Sequence, residues 1–360
     1  MRLNFTKSTL ILCLSFLFLS GQHLSAQSLQ DAEALDLTPF LKAGEEDASK
    51  LIGAYMSPMF TGIGFGVANG WYNTAKPHKP LGFDITATVS LAKAPSEDLF
   101  FTFLNSEYNN ISLANGTSAD LASVFGGDNT VGMMTNLSGT DQNGNSYTAS
   151  SSFTSPPGIP LGDEINGYVP VPMIQAGIGL IKNTDLKIRW MPTQKSSEYG
   201  YEIKMFGVGI MHDFKQWIPG IKHIPIDMSV LVGYNRISTT LDFIDSVIPG
   251  TNQGGEFSVN ALTYQILVSK KLSILTLYGG FGYNSVTTDF KILGTYQIQG
   301  DNDISGSYIE LVDPVQEEYK SDGMRATAGF RLKLAVITLH ADYTLQKYNT
   351  ITAGLGFSFR

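Results

Sequence analysis

The chain has a single cysteine, Cys13, among 360 residues, so it has no disulfide framework. Charge is scarce too. Asp, Glu, Lys and Arg make up 16 % of the chain, against roughly 25 % in an ordinary soluble domain. Disorder, which needs dense charge and low hydrophobicity, is excluded. The net charge of −8 offers no basic surface, and no nucleic acid is expected as a partner. Beyond residue 26, no run approaches the roughly 18 apolar residues of a membrane-spanning helix. What is plentiful is aromatic residues, at 11 %, and glycine, at 37 residues. Little charge with many aromatics and glycines fits an all-β chain with one face in a weakly polar medium.

The first 26 residues have the layout of a secretory signal peptide. Arg2 and Lys7 are followed by an apolar run from Thr9 to Leu19, then by Leu24-Ser25-Ala26 before Gln27. Cleavage after Ala26 is expected, and it leaves a chain without cysteine.

The remainder is dominated by period-two segments. Phe83, Ile85, Ala87, Val89 and Leu91 alternate with Asp84, Thr86, Thr88 and Ser90. Similar alternation runs through 186–190, 226–235, 325–334, 337–345 and 351–359. Strand side chains point to opposite faces in turn, so each segment has one apolar and one polar face. Ten residues is long for a soluble sheet and right for a tilted strand crossing a bilayer. A spanning sheet must close on itself, because an open edge leaves backbone groups unpaired in hydrocarbon. The expectation is therefore an all-β fold, a closed antiparallel transmembrane β-barrel in the outer membrane, apolar outside and polar inside.

Such barrels have short periplasmic turns and long outer loops. With the C-terminus placed in the periplasm, 106–171 and 293–323 become long outer stretches. The wall strands then read as 81–91, 97–105, 172–181, 184–191, 199–212, 224–241, 256–268, 272–292, 324–334, 336–346 and 350–359. An odd count cannot return both ends to one side, and 59–70, with Phe60, Ile63, Phe65 and Val67 among glycines, is taken as the first strand. The barrel then has 12 strands, or 14 if 131–138 and 146–153, which flank Asp141-Gln142-Asn143-Gly144, join the wall.

Residues 27–58 read as a separate N-terminal segment ahead of a barrel over 59–360. Glu45, Glu46 and Asp47 precede Leu51, Ile52, Tyr55, Met56 and Met59, the pattern of a short amphipathic helix. Leu51, Ile52, Tyr55 and Met56 are its candidate plug residues, in the periplasmic mouth or at the barrel rim.

Gly62, Gly64, Gly66 and Gly70 superficially resemble a nucleotide-binding loop, but no βαβ context surrounds them. Inward glycines that let a plug approach the wall explain them better. His340 and Asp342 share a face, predicted inward, and Arg325, Arg331 and Lys333 face inward on the preceding strand. Ile274, Thr276 and Tyr278 face in if Leu275, Leu277 and Phe281 face lipid. Arg325, Arg331, Lys333, His340, Asp342 and Tyr278 are thus the candidate lumen residues. His78, His212, His223 and His340 lack metal-ligand spacing, and 301–318 lacks the carboxylate spacing of a calcium loop. No metal, no cofactor and no enzymatic activity are expected.

The stretch from Gly70 to Pro80, followed by Gly82-Phe83-Asp84, is the most distinctive, with Trp71 and Tyr72 suited to a membrane interface. Together with His212-Asp213-Phe214-Lys215-Gln216-Trp217-Ile218-Pro219, it resembles a family of uncharacterised bacterial outer-membrane barrels. The ending Gly356-Phe357-Ser358-Phe359-Arg360 is similar to the C-terminal signal read by the barrel-assembly machinery, with Arg360 a departure. A looser similarity, in architecture alone, is to the long-chain fatty acid transporters of the outer membrane, which have fourteen strands and an N-terminal hatch. These resemblances imply outer-membrane lipid and the assembly machinery as partners. The expected function is a channel or transporter for a small apolar or amphipathic solute. The alternatives are a structural or surface-interaction protein acting through its outer loops, and a barrel-embedded hydrolase using His340 and Asp342.

Overall fold

A computed structural model describes residues 37–158, 167–196, 200–243, 248–301, 303 and 305–359. The expected signal peptide, 1–26, lies outside the described residues, as do 27–36. The described residues open with helices α1 (Thr38–Leu41) and α2 (Glu45–Val67). Strand β1 (Phe83–Lys93) follows, then a cap of short strands: β2 (Phe100–Leu104), β3 (Ile111–Leu113), β4 (Ser118–Ala122), β5 (Gly132–Thr140) and β6 (Ser146–Thr154). The chain returns to the wall with β7 (Tyr168–Leu180), β8 (Thr184–Ser196), β9 (Tyr201–Asp213), β10 (Asp227–Asp242), β11 (Gly254–Leu272) and β12 (Leu275–Leu293). A short pair, β13 (Thr295–Ile298) and β14 (Ile309–Val312), precedes β15 (Val315–Leu334), β16 (Ile337–Leu345) and β17 (Thr350–Phe359).

Ten of these strands close a barrel in the order β1-β17-β16-β15-β12-β11-β10-β9-β8-β7, with β7 returning to β1. Every ladder is antiparallel, which the alternating links between neighbours in sequence require. Strand β11 displays the physics. Phe257, Val259, Ala261, Thr263, Gln265, Leu267 and Ser269 are buried inside, while Tyr264, Ile266 and Val268 stand exposed outside. Farther along the same outer face, Glu256, Ser258 and Asn260 are polar. The exposed apolar belt thus occupies the turn-side part of the wall. Strands of 19 or 20 residues, such as β11, β12 and β15, run well past it.

On the turn side three links are tight and one, 214–226 between β9 and β10, is longer. Lys182 and Asn183 both have positive φ between β7 and β8, and Ser273 and Ala335 do the same between β11 and β12 and between β15 and β16. Ile274, expected inward, sits in such a turn and is exposed. The opposite mouth carries the long connections and the cap, whose buried Phe103, Leu113, Phe125 and Leu137 belong to one core with α1, α2 and the loop-side wall.

Ten wall strands replace the expected 12–14. The segment 97–105 contributes β2, which pairs with β4. The hairpin of β5 and β6 pairs with β3. Residues 59–70 are no strand, since α2 runs through Val67, and the division drawn between 58 and 59 falls inside this helix. Pro58 lies within α2, and the Ser57 hydroxyl donates to the Ala54 carbonyl that Pro58 has no N–H to reach, at 3.2 Å. The glycines belong to the plug rather than to the wall. A Cβ on Gly62 would fall 2.4 Å from Val169, and one on Gly64 2.3 Å from Val286. Their absence lets the helix backbone lie directly against β7 and β12.

Candidate functional site: a plug latched in the lumen

Helix α2 enters by the long-connection mouth, not by the short-turn mouth. At its start the Asp47 carboxylate accepts the backbone N–H groups of Asn109 (2.9 Å) and Asn110 (2.6 Å) in the cap. Lys42 pairs with Asp301 at 2.8 Å. Burial alone would raise the Asp301 carboxyl, but donation from Lys42 and from the Ser152 N–H holds it below its ordinary value. Tyr108, which stacks on Phe103 at 4.4 Å, has its hydroxyl pushed up to about 12 by burial and by the carboxylates of Glu107 and Asp47.

The expected plug residues Leu51, Ile52, Tyr55 and Met56 are all buried. They belong to the core shared by the cap and the upper wall, and the Tyr55 hydroxyl donates to the Pro157 carbonyl at 2.7 Å. The deeper filling comes from Phe60, whose ring lies 5.1 Å from Phe257, 5.2 Å from Phe290 and 5.5 Å from Tyr319.

The C-terminus of α2 is where the lumen closes. A helix end leaves carbonyls without intrahelical partners and a partial negative charge. Three wall strands answer it. Arg189 on β8 donates to the carbonyls of Val67 (2.9 Å) and Asn69 (2.7 Å), and its Nε is held by Gln175 at 3.0 Å. Asn235 on β10 donates to Val67 at 3.0 Å. Arg325 on β15 donates to the Ala68 carbonyl at 2.9 Å and to the side-chain oxygen of Asn69. Both arginines are fully buried and donate chiefly to neutral oxygens of the plug and its neighbours, Arg325 through Nη1 and Nη2 alone. Neither has a carboxylate in ion-pair contact among the described residues.

From Ala68 the chain continues as a strap down the lumen to β1. Trp71 lies under the Arg189 guanidinium, 3.7 Å from its carbon to the ring centre. The other side of the indole rests on two paired glycines, Gly209 and Gly233, where a Cβ would come within 2.8 and 2.5 Å of the ring. Trp71 is therefore lumenal, not interfacial. Tyr72 is buried as well, donating to Gln265 at 3.1 Å. Next, Ser229 donates to the Ala75 carbonyl at 2.6 Å, and the Ala75 N–H donates to Ser269 at 3.0 Å. His78 closes the strap against Asp185, through its backbone N–H at 2.8 Å and ring Nδ1 at 2.9 Å. Between the strap and the wall a cavity of about 10 Å³ remains, room for about one water.

The other candidate lumen residues line the same interior. Asp342 accepts from the Tyr278 hydroxyl at 2.8 Å, and Tyr278 meets Tyr72 edge-on at 5.7 Å. Lys333 donates to Ser358 at 3.1 Å. Arg331 is buried beside the small cavity. His340 is buried against Gly354, and neither ring nitrogen has a hydrogen-bond partner among the described residues. The structure does not join His340 to Asp342. Alternation along 186–190 placed Lys187 and Arg189 inward, but nothing in it named their partners, and Arg189 escaped notice as a site residue.

No curated protein matches the chain. Among solved structures, the translocator domain of the autotransporter NalP from Neisseria meningitidis is similar at 10 % identity and a TM-score of 0.30, over 89 % of this chain and 99 % of that one. Ail, the attachment invasion locus protein of Yersinia pestis, is similar at 10 % identity and a TM-score of 0.25, over 78 % and 98 %. The ferric-catecholate import receptor Fiu from E. coli K12 is similar at 13 % identity and 0.28, over 78 % and 60 %. Likeness at this level says nothing of activity. Residues 6–359 match the family of unknown function DUF6588, and the chain belongs to that family.

Proposed function

We propose that this protein is a gated barrel of the outer membrane that passes a small apolar or amphipathic solute when the plug of α2 and strap shifts. One observation carries the reading. The plug is held to the wall by side chains reaching its backbone, from Arg189, Asn235 and Arg325, while the wall ladders close without it. Such a plug can move without breaking the barrel, since the wall's ladders run strand to strand and not to the plug. The apolar belt faces outer-membrane lipid, and β17, ending in Phe357 and Phe359, is the strand offered to the assembly machinery. No residue is assigned a catalytic role. The test is conductance in planar bilayers. Wild type stays mostly closed, and Arg189→Ala, which removes a plug anchor, conducts more. Equal conductance of a folded Arg189→Ala overturns the reading.

A second reading is favoured by the cap, whose two small sheets stand beyond the belt together with the β13–β14 pair. In it the barrel anchors a surface-binding head. Deleting the β5–β6 hairpin then abolishes attachment to a surface partner and leaves conductance unchanged.

A further inference from the structure

One seam of the wall is only partly sealed. The ladder between β7 and β8 runs from Leu180↔Thr184 to Ile174↔Trp190 and ends there. On its other side β7 stays paired with β1 as far as Tyr168↔Lys93. Among the described residues, Tyr168–Met173 therefore have a ladder partner on one side alone. The sequence supplies the reason. Pro170 and Pro172 in β7 and Pro192 in β8 have no N–H to donate, and β8 loses register against β9 between Met191 and Gln194. A barrel in hydrocarbon ordinarily has no such edge.

The gap lies at the loop-side rim of the apolar belt. Below it the outward residues are Ile174 and Ile178 on β7 and Ile188 and Trp190 on β8, all exposed. Across it the β8 lip begins with Met191 and then turns polar, with Thr193 and Lys195 exposed. Outside, an apolar groove of about 850 Å³ crosses from β15 to this seam, over Phe330, Ala341, Ala353, Val89, Pro172 and Met191. It is hollow because alanines stand on the outer face where neighbouring strands carry Leu, Ile or Phe. Directly behind the seam is Met173, buried, with its sulfur 3.3 Å from Arg189 Nη1. Groove, seam and latch arginine thus lie in line.

We propose that the β7–β8 seam is a lateral port, through which an alkyl chain dissolved in the bilayer reaches Met173 and the Arg189 latch. The inference deepens the gated-barrel reading and rests on it, naming the solute as one that arrives through lipid rather than water. An alkyl chain suits the groove, whose lining is almost wholly apolar, and it needs no hydrogen bond from the half-paired edge.

Cysteine reactivity tests it. In a Cys13→Ser background, Met173→Cys is reconstituted in phosphatidylcholine liposomes and treated with N-dodecylmaleimide, which partitions into the bilayer, or with a sulfonated, membrane-impermeant maleimide. Leu267→Cys is the comparison, being equally buried and inward on a strand paired on both sides. Cys at 173 is expected to react with the dodecyl reagent about tenfold faster or more than Cys at 267, the paired wall excluding the reagent there. It is expected to resist the impermeant reagent. Adding Pro170→Val and Pro172→Val, which restores two donors, slows the dodecyl reaction. Met191→Cys repeats the measurement from the other lip if Met173→Cys fails to assemble. Equal, slow reaction at 173 and 267 overturns the port, and so does equal reaction of Cys at 173 with both reagents. These readings do not depend on plug movement, so a closed port with a conducting Arg189→Ala rejects the port and leaves the gate standing.

Discussion

The Arg189 guanidinium carbon lies 3.7 Å from the centre of the Trp71 ring, and the same guanidinium donates to two backbone carbonyls at the end of α2. One side chain therefore fixes both the helix end and the first aromatic of the strap. A desolvated cation–π contact is worth about 2 kcal/mol, and each hydrogen bond from a charged donor about 1.5–3 kcal/mol. Lysine cannot span these acceptors, having no planar fork. Arg189→Lys is expected to release Trp71 nearly as fully as Arg189→Ala. In a chain whose Trp190 and Trp217 are replaced by Phe, Trp71 emission should shift to the red in both variants. Unchanged emission in Arg189→Lys contradicts the role of the fork.

The glycine pair under the indole makes a second prediction. Gly233→Ala places a methyl 2.5 Å from the Trp71 ring, closer than any carbon contact allows. Overpacking of this kind costs about 1–3 kcal/mol. The expected result is a displaced indole in an intact wall, seen as red-shifted emission with normal heat-modifiability on gels. A substitution that leaves emission where it was shows that the strap does not seat there.

The limits of the lipid belt are testable along a single strand. Ile266 and Ser258 share the outer face of β11, Ile266 in the belt and Ser258 beyond it, donating to Asp289 at 3.1 Å. Ile266→Arg should block assembly, an outward Arg near the midplane costing about 2–4 kcal/mol. Ser258→Arg should assemble, its charge meeting Asp289. Equal assembly of the two places the belt elsewhere.

Acid should loosen the start of the plug. The Asp301 carboxyl, held low in the folded chain, contributes stability that is present above its unfolded value and lost as pH falls through the folded one. Below about pH 4 the tie to Lys42 weakens. Hydrogen-exchange protection of residues 40–48, corrected for intrinsic rates, is expected to fall there in wild type. In Asp301→Asn it should be low already at neutral pH. A wild-type profile matching that of the variant excludes the tie.

Most of the wall was legible because lipid outside and polar groups inside leave a strict period of two, as in Ile337–Leu345. The same period misled where it came from a different cause. Strands β5 and β6 alternate because one face packs on the cap core, and no lipid is involved. The glycines of 62–66 alternate with apolar residues because a helix must lie flush against Val169 and Val286. The latch was illegible for another reason. Alternation says that Arg189 points inward, but its partners Val67 and Asn69 lie over a hundred residues away in a stretch without periodicity. Arg325 was recognisable as a lumen residue, yet its task, holding a helix end, depends on α2 running nine residues past its expected limit at 58.

The central claim is that passage requires the strap to move. The side-chain oxygens of Thr74 and Ser269 are 3.2 Å apart, close enough for a cysteine pair to bridge strap and wall. The decisive measurement is planar-bilayer conductance of Thr74→Cys/Ser269→Cys in the Arg189→Ala background, with Cys13 replaced by Ser. The account predicts raised conductance when the pair is reduced, collapse on oxidation, and recovery on reduction again. Conductance that stays high with the disulfide fully formed contradicts it.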